Sequence, residues 1–225
     1  MYCIAIDLGG TIIKIGLVKG NEILEFSSFP AIAGSLDSNL PAMGGIINRL
    51  LSKWKVSREE LAGMGLAFPG MVNPKEKRVT STNDKYDDAC DIDLPSWVDR
   101  NWGTSFIIDN DARLALAGEW YMGAGKNSRN MVMMTIGTGI GTGVVLDGRV
   151  IKGTHYQAGS LGGHIVVDYR GRRCTCGNIG CVEAMASSFF LPEIIRTHPK
   201  ISSEYKAKAS SYDFKTLFDL MRRGE

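Results

Sequence analysis

Three of the chain's five cysteines fall within eight positions of one segment, HIVVDYRGRRCTCGNIGCVE, residues 164–183. Cys174, Cys176 and Cys181 form a C-x-C-x4-C run among Arg, Gly and Asn, the composition of a loop able to wrap thiolates around one ion. His164 completes a Cys3His set, and four such ligands suit tetrahedral zinc. The spacing is not that of the commoner C-x2-C knuckle, so on spacing alone ordinary free thiols remain the alternative. Cys3 and Cys90 stand alone.

Two glycine-rich turns carry a different chemistry. In IDLGGTIIK, Asp7 ends a strand, Gly9 and Gly10 let the backbone approach a ligand closely, and Thr11 and Lys14 add polar groups on the return. In TIGTGIGTG, residues 135–143, Gly137, Thr138 and Gly139 open a second such turn. Either turn alone reads as an ordinary tight hairpin, and neither is a P-loop or a dinucleotide fingerprint. A pair of them makes two phosphate cradles a stronger reading. Between them lies FIIDNDARLA, where a hydrophobic strand gives way to a helix. An N-cap explains Asn110 or Asp111 but not both. A carboxylate fixed at a strand end can instead take a proton from a hydroxyl while the adjacent amide orients it.

The elements that must hold these groups alternate between strand and helix. Residues 2–7, 12–18 and 22–28 read as strands, the first two joined by the LGGT turn, followed by a helix within 39–54 and a strand at 63–68. A short strand near Arg78–Ser81, a helix around PSWVDRNW, a strand at 105–109 and a helix over DARLALAGEW come next. After GKNSRN, the segments NMVMMTIGT and GTGVVLDGRV give two more strands around glycines. Strand, glycine turn, strand thus occurs in both halves, which predicts two related lobes meeting at a cleft.

Composition narrows the partners. At 225 residues, 44% hydrophobic and 22% charged, the chain has ordinary globular content. Its formal charge of +2 and the absence of any basic run longer than a pair argue against nucleic acid. No stretch approaches the ~20 apolar residues of a membrane span, and MYCIAIDLGG lacks a secretory pattern, so a cytoplasmic location is expected.

DLGGTIIK, FPGMV, IDNDARLALAGE, TIGTGIGTGVV, GSLGGH and CTCGNIGCVE occur in the order found in the ROK family (repressors, open reading frames and kinases), which this sequence resembles from residue 4 to its end. The resemblance implies an α/β, two-lobed actin-like ATPase (ribonuclease H-like) fold with a cleft between a small lobe, residues 1–109, and a large lobe, residues 110–225. It implies ATP-dependent phosphoryl transfer to a hexose, usually at the 6-hydroxyl, with Mg2+ beside the phosphates. Carried over by motif, Asp111 is the general base and Asn110, His164 and Glu183 contact the sugar. Asp7, Gly9, Gly10, Thr11 and Lys14 belong to one phosphate site, with Asp7 holding Mg2+ through water, and Gly137, Thr138 and Gly139 to the other. His164, Cys174, Cys176 and Cys181 bind the family's structural zinc. Hexose and ATP are the expected partners, and a homodimer or higher homo-oligomer the expected assembly.

Two departures qualify this. Where the family has Glu before its Gly-His, this chain has Ser160, which opens the choice of sugar. The family's further helices and strand, which supply the adenine pocket, find no counterpart before Glu225, so the large lobe is expected to be incomplete. A catalytically silent sugar-binding protein fits both departures. A sugar-responsive repressor is the remaining alternative, disfavoured here because the first strand starts at about residue 2 and leaves no room for a preceding DNA-binding domain.

Overall fold

The computed structural model describes residues 1–82 and 85–224, which form two compact units. The first comprises Met1–Gly118 and Lys152–Gln157, the second Glu119–Ile151 and Ala158–Glu225.

In the first unit, β1 (Tyr2–Leu8), β2 (Ile12–Lys19), β3 (Glu22–Pro30), β4 (Leu61–Phe68) and β7 (Ser105–Asn110) make one mixed sheet in the order β3-β2-β1-β4-β7. The β1–β2 and β2–β3 pairs are antiparallel, whereas β1–β4 and β4–β7 are parallel. Strict alternation sets the faces: Ile4, Ile6 and Leu8 of β1 and Ile13, Ile15 and Leu17 of β2 are all buried, because successive side chains point to opposite sides. They join Met43, Ile47 and Leu50 of α1 (Leu40–Lys53) and Val98 and Trp102 of α2 (Leu94–Trp102) in one core. The helical residues recur at three- and four-residue spacing, one stripe of each helix. α2 is closed at both ends: the Asp93 side chain accepts from the Ser96 N–H, and Gly103 ends the helix at a φ of 57°.

Register decides where the chemistry sits. Asp7 pairs with Ala67, Ala67 with Asp109, and Phe68 with Asn110. The carboxyl ends of β1, β4 and β7 therefore lie level, which is where parallel α/β sheets present ligand-binding loops. Those ends lead into the Gly9–Gly10 turn, Pro69–Gly70 and the start of α3 (Asp111–Met122). A two-stranded ribbon of β5 (Met71–Asn73) and β6 (Arg78–Ser81) follows Gly70. Sequence periodicity gave no sign of β5, since three residues are too few to show alternation.

The second unit opens with an antiparallel sheet of β8 (Met131–Ile136), β9 (Ile140–Leu146) and β10 (Arg149–Val150) in the order β10-β9-β8. The β8–β9 hairpin repeats the β1–β2 arrangement, a glycine turn closing an antiparallel pair. Beyond it come the cysteine loop and the short helices α4 (Val182–Ala186), α5 (Leu191–Thr197), α6 (Ser203–Ala207) and α7 (Phe214–Arg222). Among the described residues, no helix is long and apolar enough to cross a membrane.

The sequence placed a division between residues 109 and 110; compactness divides the chain within α3, between Gly118 and Glu119, and returns residues 152–157 to the first unit. The attachment is ionic and hydrogen-bonded. Lys152 Nζ lies 2.7 Å from Asp109 Oδ2, and Arg113 Nη1 donates to the Tyr156 carbonyl at 2.7 Å.

Candidate functional site

The first turn is held open from several sides. Gly9 N–H donates to the Ile12 carbonyl at 3.1 Å, and the Thr11 carbonyl accepts from Ala31 N–H at 2.9 Å. The N–H groups of Gly10 and Thr11 have no partner among the described residues, which leaves two donors for an anion. Asp7 and Lys14 face each other across the β1–β2 ladder, Lys14 Nζ to Asp7 Oδ2 at 3.2 Å. From 77 positions away, the buried Tyr86 donates its hydroxyl to the Gly9 carbonyl at 2.7 Å.

At the start of α3 the N-cap reading holds, and it holds for one residue of the pair. Asn110 is the cap: its Oδ1 accepts from Arg113 N–H at 3.3 Å, while its Nδ2 donates to the Gly70 carbonyl and to Asp111 Oδ1, both at 3.0 Å. Asp111 Oδ1 also accepts from Ala112 N–H at 2.8 Å. Burial pushes the Asp111 carboxyl above the usual carboxylate range; the Ala112 N–H and the charge of Lys85 counteract part of this, and the charge of Asp7 adds to it. Such a group is suited to accepting a proton. Asp109, one residue earlier, has a structural task. Its Oδ1 accepts from Arg113 Nε and from Asn110 N–H, both at 2.8 Å, and its Oδ2 pairs with Lys152. One nitrogen of the buried Arg113, Nη2, has no partner among the described residues.

In the second unit, the Gly137 carbonyl accepts from Ser188 N–H at 2.9 Å, whereas the N–H groups of Thr138 and Gly139 have no partner among the described residues. Glu183 braces this turn: Oε2 accepts from Ile140 N–H at 2.8 Å, and a Cβ on Gly139 would sit 2.6 Å from that same oxygen. The other carboxylate oxygen is 3.4 Å from Thr175 Oγ1, inside the cysteine loop. Thr142 of β9 fixes the approach to His164, donating to the Gly159 carbonyl at 2.7 Å and accepting from Gly162 N–H at 2.9 Å.

The loop brings His164, Cys174, Cys176 and Cys181 together, with one ligand atom from each within 4.8 Å of the others. Cys176 Sγ and Cys181 Sγ are 3.7 Å apart, and Cys174 Sγ is 3.6 Å from His164 Nδ1. Zinc–sulfur bonds of about 2.3 Å at tetrahedral angles place neighbouring sulfurs about 3.8 Å apart, close to the spacing of these two pairs, so the donor set suits zinc. The chain doubles back at Gly180, whose φ is 75° and where a Cβ would run into the Asp168 carbonyl. Burial pushes the Cys181 thiol up to about 12, helped by the neighbouring Cys176 and Cys174 thiols. At Cys176 burial also acts upward, yet the Asn178 N–H and the other two thiols hold it below the ordinary range. Crowded sulfurs that cannot all ionise together call for a cation.

The sequence matches the ROK family over residues 3–225. The chain belongs to the ROK family. Among its relatives, the xylose repressor of Bacillus spizizenii is 31% identical over 88% of this chain and 51% of its own length. The glucokinase of Halalkalibacterium halodurans is 31% identical over 83% of this chain and 57% of its own. The chain thus spans about half the length of the curated relatives it matches. Among solved structures, the ROK hexokinase from Thermus thermophilus superposes with a TM-score of 0.72 at 27% identity, covering 100% of this chain and 70% of that one. The mixed-sheet α/β architecture is that of ROK sugar kinases.

Within this ROK chain the structure assembles the expected residues as local groups. Asp7, Gly9, Gly10, Thr11 and Lys14 surround one turn, Asn110 and Asp111 share hydrogen bonds, and Glu183 joins the second turn to the Cys3His cluster. Lys85, Tyr86 and Arg113 were not foreseen. Tyr86 reaches Gly9 from 77 positions away and Arg113 the Tyr156 carbonyl from 43, neither of which leaves a local pattern, although the Arg113–Asp109 pair is a local one.

Proposed function

We propose that this ROK chain is an ATP-dependent hexose kinase, transferring the γ-phosphoryl group to a sugar hydroxyl, the 6-hydroxyl by family resemblance. The observation that carries this is Asp111: a half-buried carboxylate, raised in pKa, pinned by Ala112 N–H and Asn110 Nδ2 in the same unit as a turn with two amides that have no partner among the described residues. In the reaction, the sugar oxygen forms a bond to the γ-phosphorus as the bond from that phosphorus to the β–γ bridging oxygen breaks. The hydroxyl proton passes to Asp111, and ADP leaves with the electron pair. Phosphoryl transfer asks a protein for positioning, charge neutralisation and one placed base, and the residues supply each.

Asn110 would hold the sugar beside the base; His164 and Glu183 are the sugar-contacting residues that the family resemblance implies in the second unit. The amides at Gly10 and Thr11 and at Thr138 and Gly139 would hold phosphate oxygens. Asp7 is exposed and shares only one oxygen with Lys14, so it could hold Mg2+ through water, and that ion would offset phosphate charge. Zinc on His164, Cys174, Cys176 and Cys181 would have a structural task.

A coupled ADP-release assay over glucose, other hexoses, N-acetylated hexoses and glycosides tests this. The kinase reading expects turnover on at least one sugar. Sugar binding without ADP release would favour the second reading, a sugar-responsive protein like the xylose repressor, which Ser160 in place of the family glutamate also suits.

A further inference from the structure

We infer that Lys85 is a further catalytic residue of this phosphoryl transfer, its ammonium contacting the γ-phosphoryl oxygens; the inference rests on the kinase reading. The geometry is local to the first unit. The Lys85 stem lies across the phosphate turn, with Cδ and Cε 3.4 and 3.5 Å from where a Cβ on Gly10 would stand. An aliphatic stem laid over a glycine delivers the charged end to the ligand side of the turn, and a Cβ at position 10 would stand in ordinary contact with it.

The segment bearing Lys85 is fastened to that turn and to the loop before α1. Next along the chain, Tyr86 is fully buried and donates to the Gly9 carbonyl at 2.7 Å. The Lys85 carbonyl accepts from Gly34 N–H at 3.1 Å, and Asp87 N–H donates to the Gly34 carbonyl at 3.0 Å. The Asp88 carboxylate then takes the Ser35 hydroxyl at 2.8 Å and the N–H groups of Leu36 and Asp37 at 2.6 and 3.1 Å. A preorganised strap of this kind spends little on ordering when the ligand arrives.

Lys14 is engaged with Asp7, and Lys152 with Asp109, whereas the Lys85 ammonium has no hydrogen-bond or ion-pair partner among the described residues. Its charge nevertheless acts on Asp111, so it stands in the field of the base. A half-buried cation between a phosphate turn and a general base can neutralise the equatorial oxygens of the transferring group as the bond to the β–γ oxygen lengthens, the task that a cis-acting cation performs in other phosphoryl transferases.

Lys85→Met keeps the stem over Gly10 and removes the charge; Lys85→Arg keeps the charge. With the full chain, affinities for ADP and for the non-hydrolysable analogue AMPPNP would be measured with Mg2+ and sugar present, alongside kcat and sugar KM. The expected result for Lys85→Met is a kcat lower by ~10²–10³, AMPPNP weakened by about tenfold, and ADP, sugar KM and the melting temperature close to wild type. Lys85→Arg should recover a large part of kcat and of AMPPNP affinity. A kcat within threefold of wild type, or ADP and AMPPNP weakened alike, overturns the assignment while leaving the kinase reading intact. If the wild-type chain binds neither nucleotide, the kinase reading fails and this one fails with it.

Discussion

Asp111 is costly to the fold, and the kinase reading makes it the base. Because burial raises its pKa, the folded carboxyl holds its proton more tightly than the unfolded one. The fold therefore gains stability at low pH and loses it as pH rises through the raised value, leaving the ionised base a burden at neutral pH. Asp111→Asn should melt no lower than wild type, while kcat falls by ~10²–10⁴ and sugar affinity stays within severalfold. Near-normal turnover in that variant would remove Asp111 from the mechanism. A base must be deprotonated to act, so wild-type kcat/KM should fall as pH drops through a pKa above the ordinary value of about 3.9, with Lys85 opposing and Asp7 reinforcing that elevation. An acidic limb at or below the ordinary value would contradict the burial argument. At this scale the sequence was readable where a residue type and its neighbours narrow the choice: Asn110 and Asp111 stand together at a strand end, and one of them does cap the helix. Lys85 was unreadable because a lysine in a loop is ordinarily a solvated charge.

Elements fix these residues through a few buried polar links. The cysteine loop is the clearest, since its residue types offered a ligand set, with free thiols the alternative on spacing alone, and the four donors converge. Metal analysis of purified protein should find about one zinc per chain, because a closed structural site exchanges slowly. Chelation, or Cys176→Ser, should weaken sugar binding by ~10-fold or more, since the ligating histidine loses its orientation and the loop carrying Glu183 slackens. Nucleotide binding should change much less. Zinc-free protein that binds sugar normally would refute this. The β7–α3 junction is the second case. Arg113 and Asp109 are almost wholly buried, so Arg113→Met leaves the carboxylate with Lys152 as its one charged partner among the described residues. With the Asn110 N–H still donating to that carboxylate, we expect a loss of about 3 kcal/mol in denaturant unfolding, and a loss below about 1 kcal/mol would show the pair to be dispensable. Neither Arg113 nor its acceptor carbonyl on Tyr156 could be read in advance, because the segment 152–157 looks like any polar loop until its partners are known.

For the whole molecule, the kinase reading requires both units to act on the same sugar and nucleotide. Scattering with sugar and AMPPNP should therefore report a smaller radius of gyration than the free chain, since closure also keeps water from the γ-phosphate. An unchanged radius would count against closure. The mixed sheet and the repeated hairpin were legible because strands buried on one face alternate visibly, as Ile4, Ile6 and Leu8 do. The limits of the two units were not, since compactness depends on which loop returns to which core. That return carries a consequence for how the protein is made. Asp109 and Arg113 leave the ribosome 43 residues ahead of Lys152 and Tyr156 respectively. At ~5–20 residues per second this is a wait of ~2–9 s, during which the nascent first unit has its sheet and helices in hand but its buried guanidinium and carboxylate only partly answered. A ribosome stalled between those points would display a first unit that is assembled yet loose at the junction bearing the base, open to a chaperone or protease until residue 157 emerges.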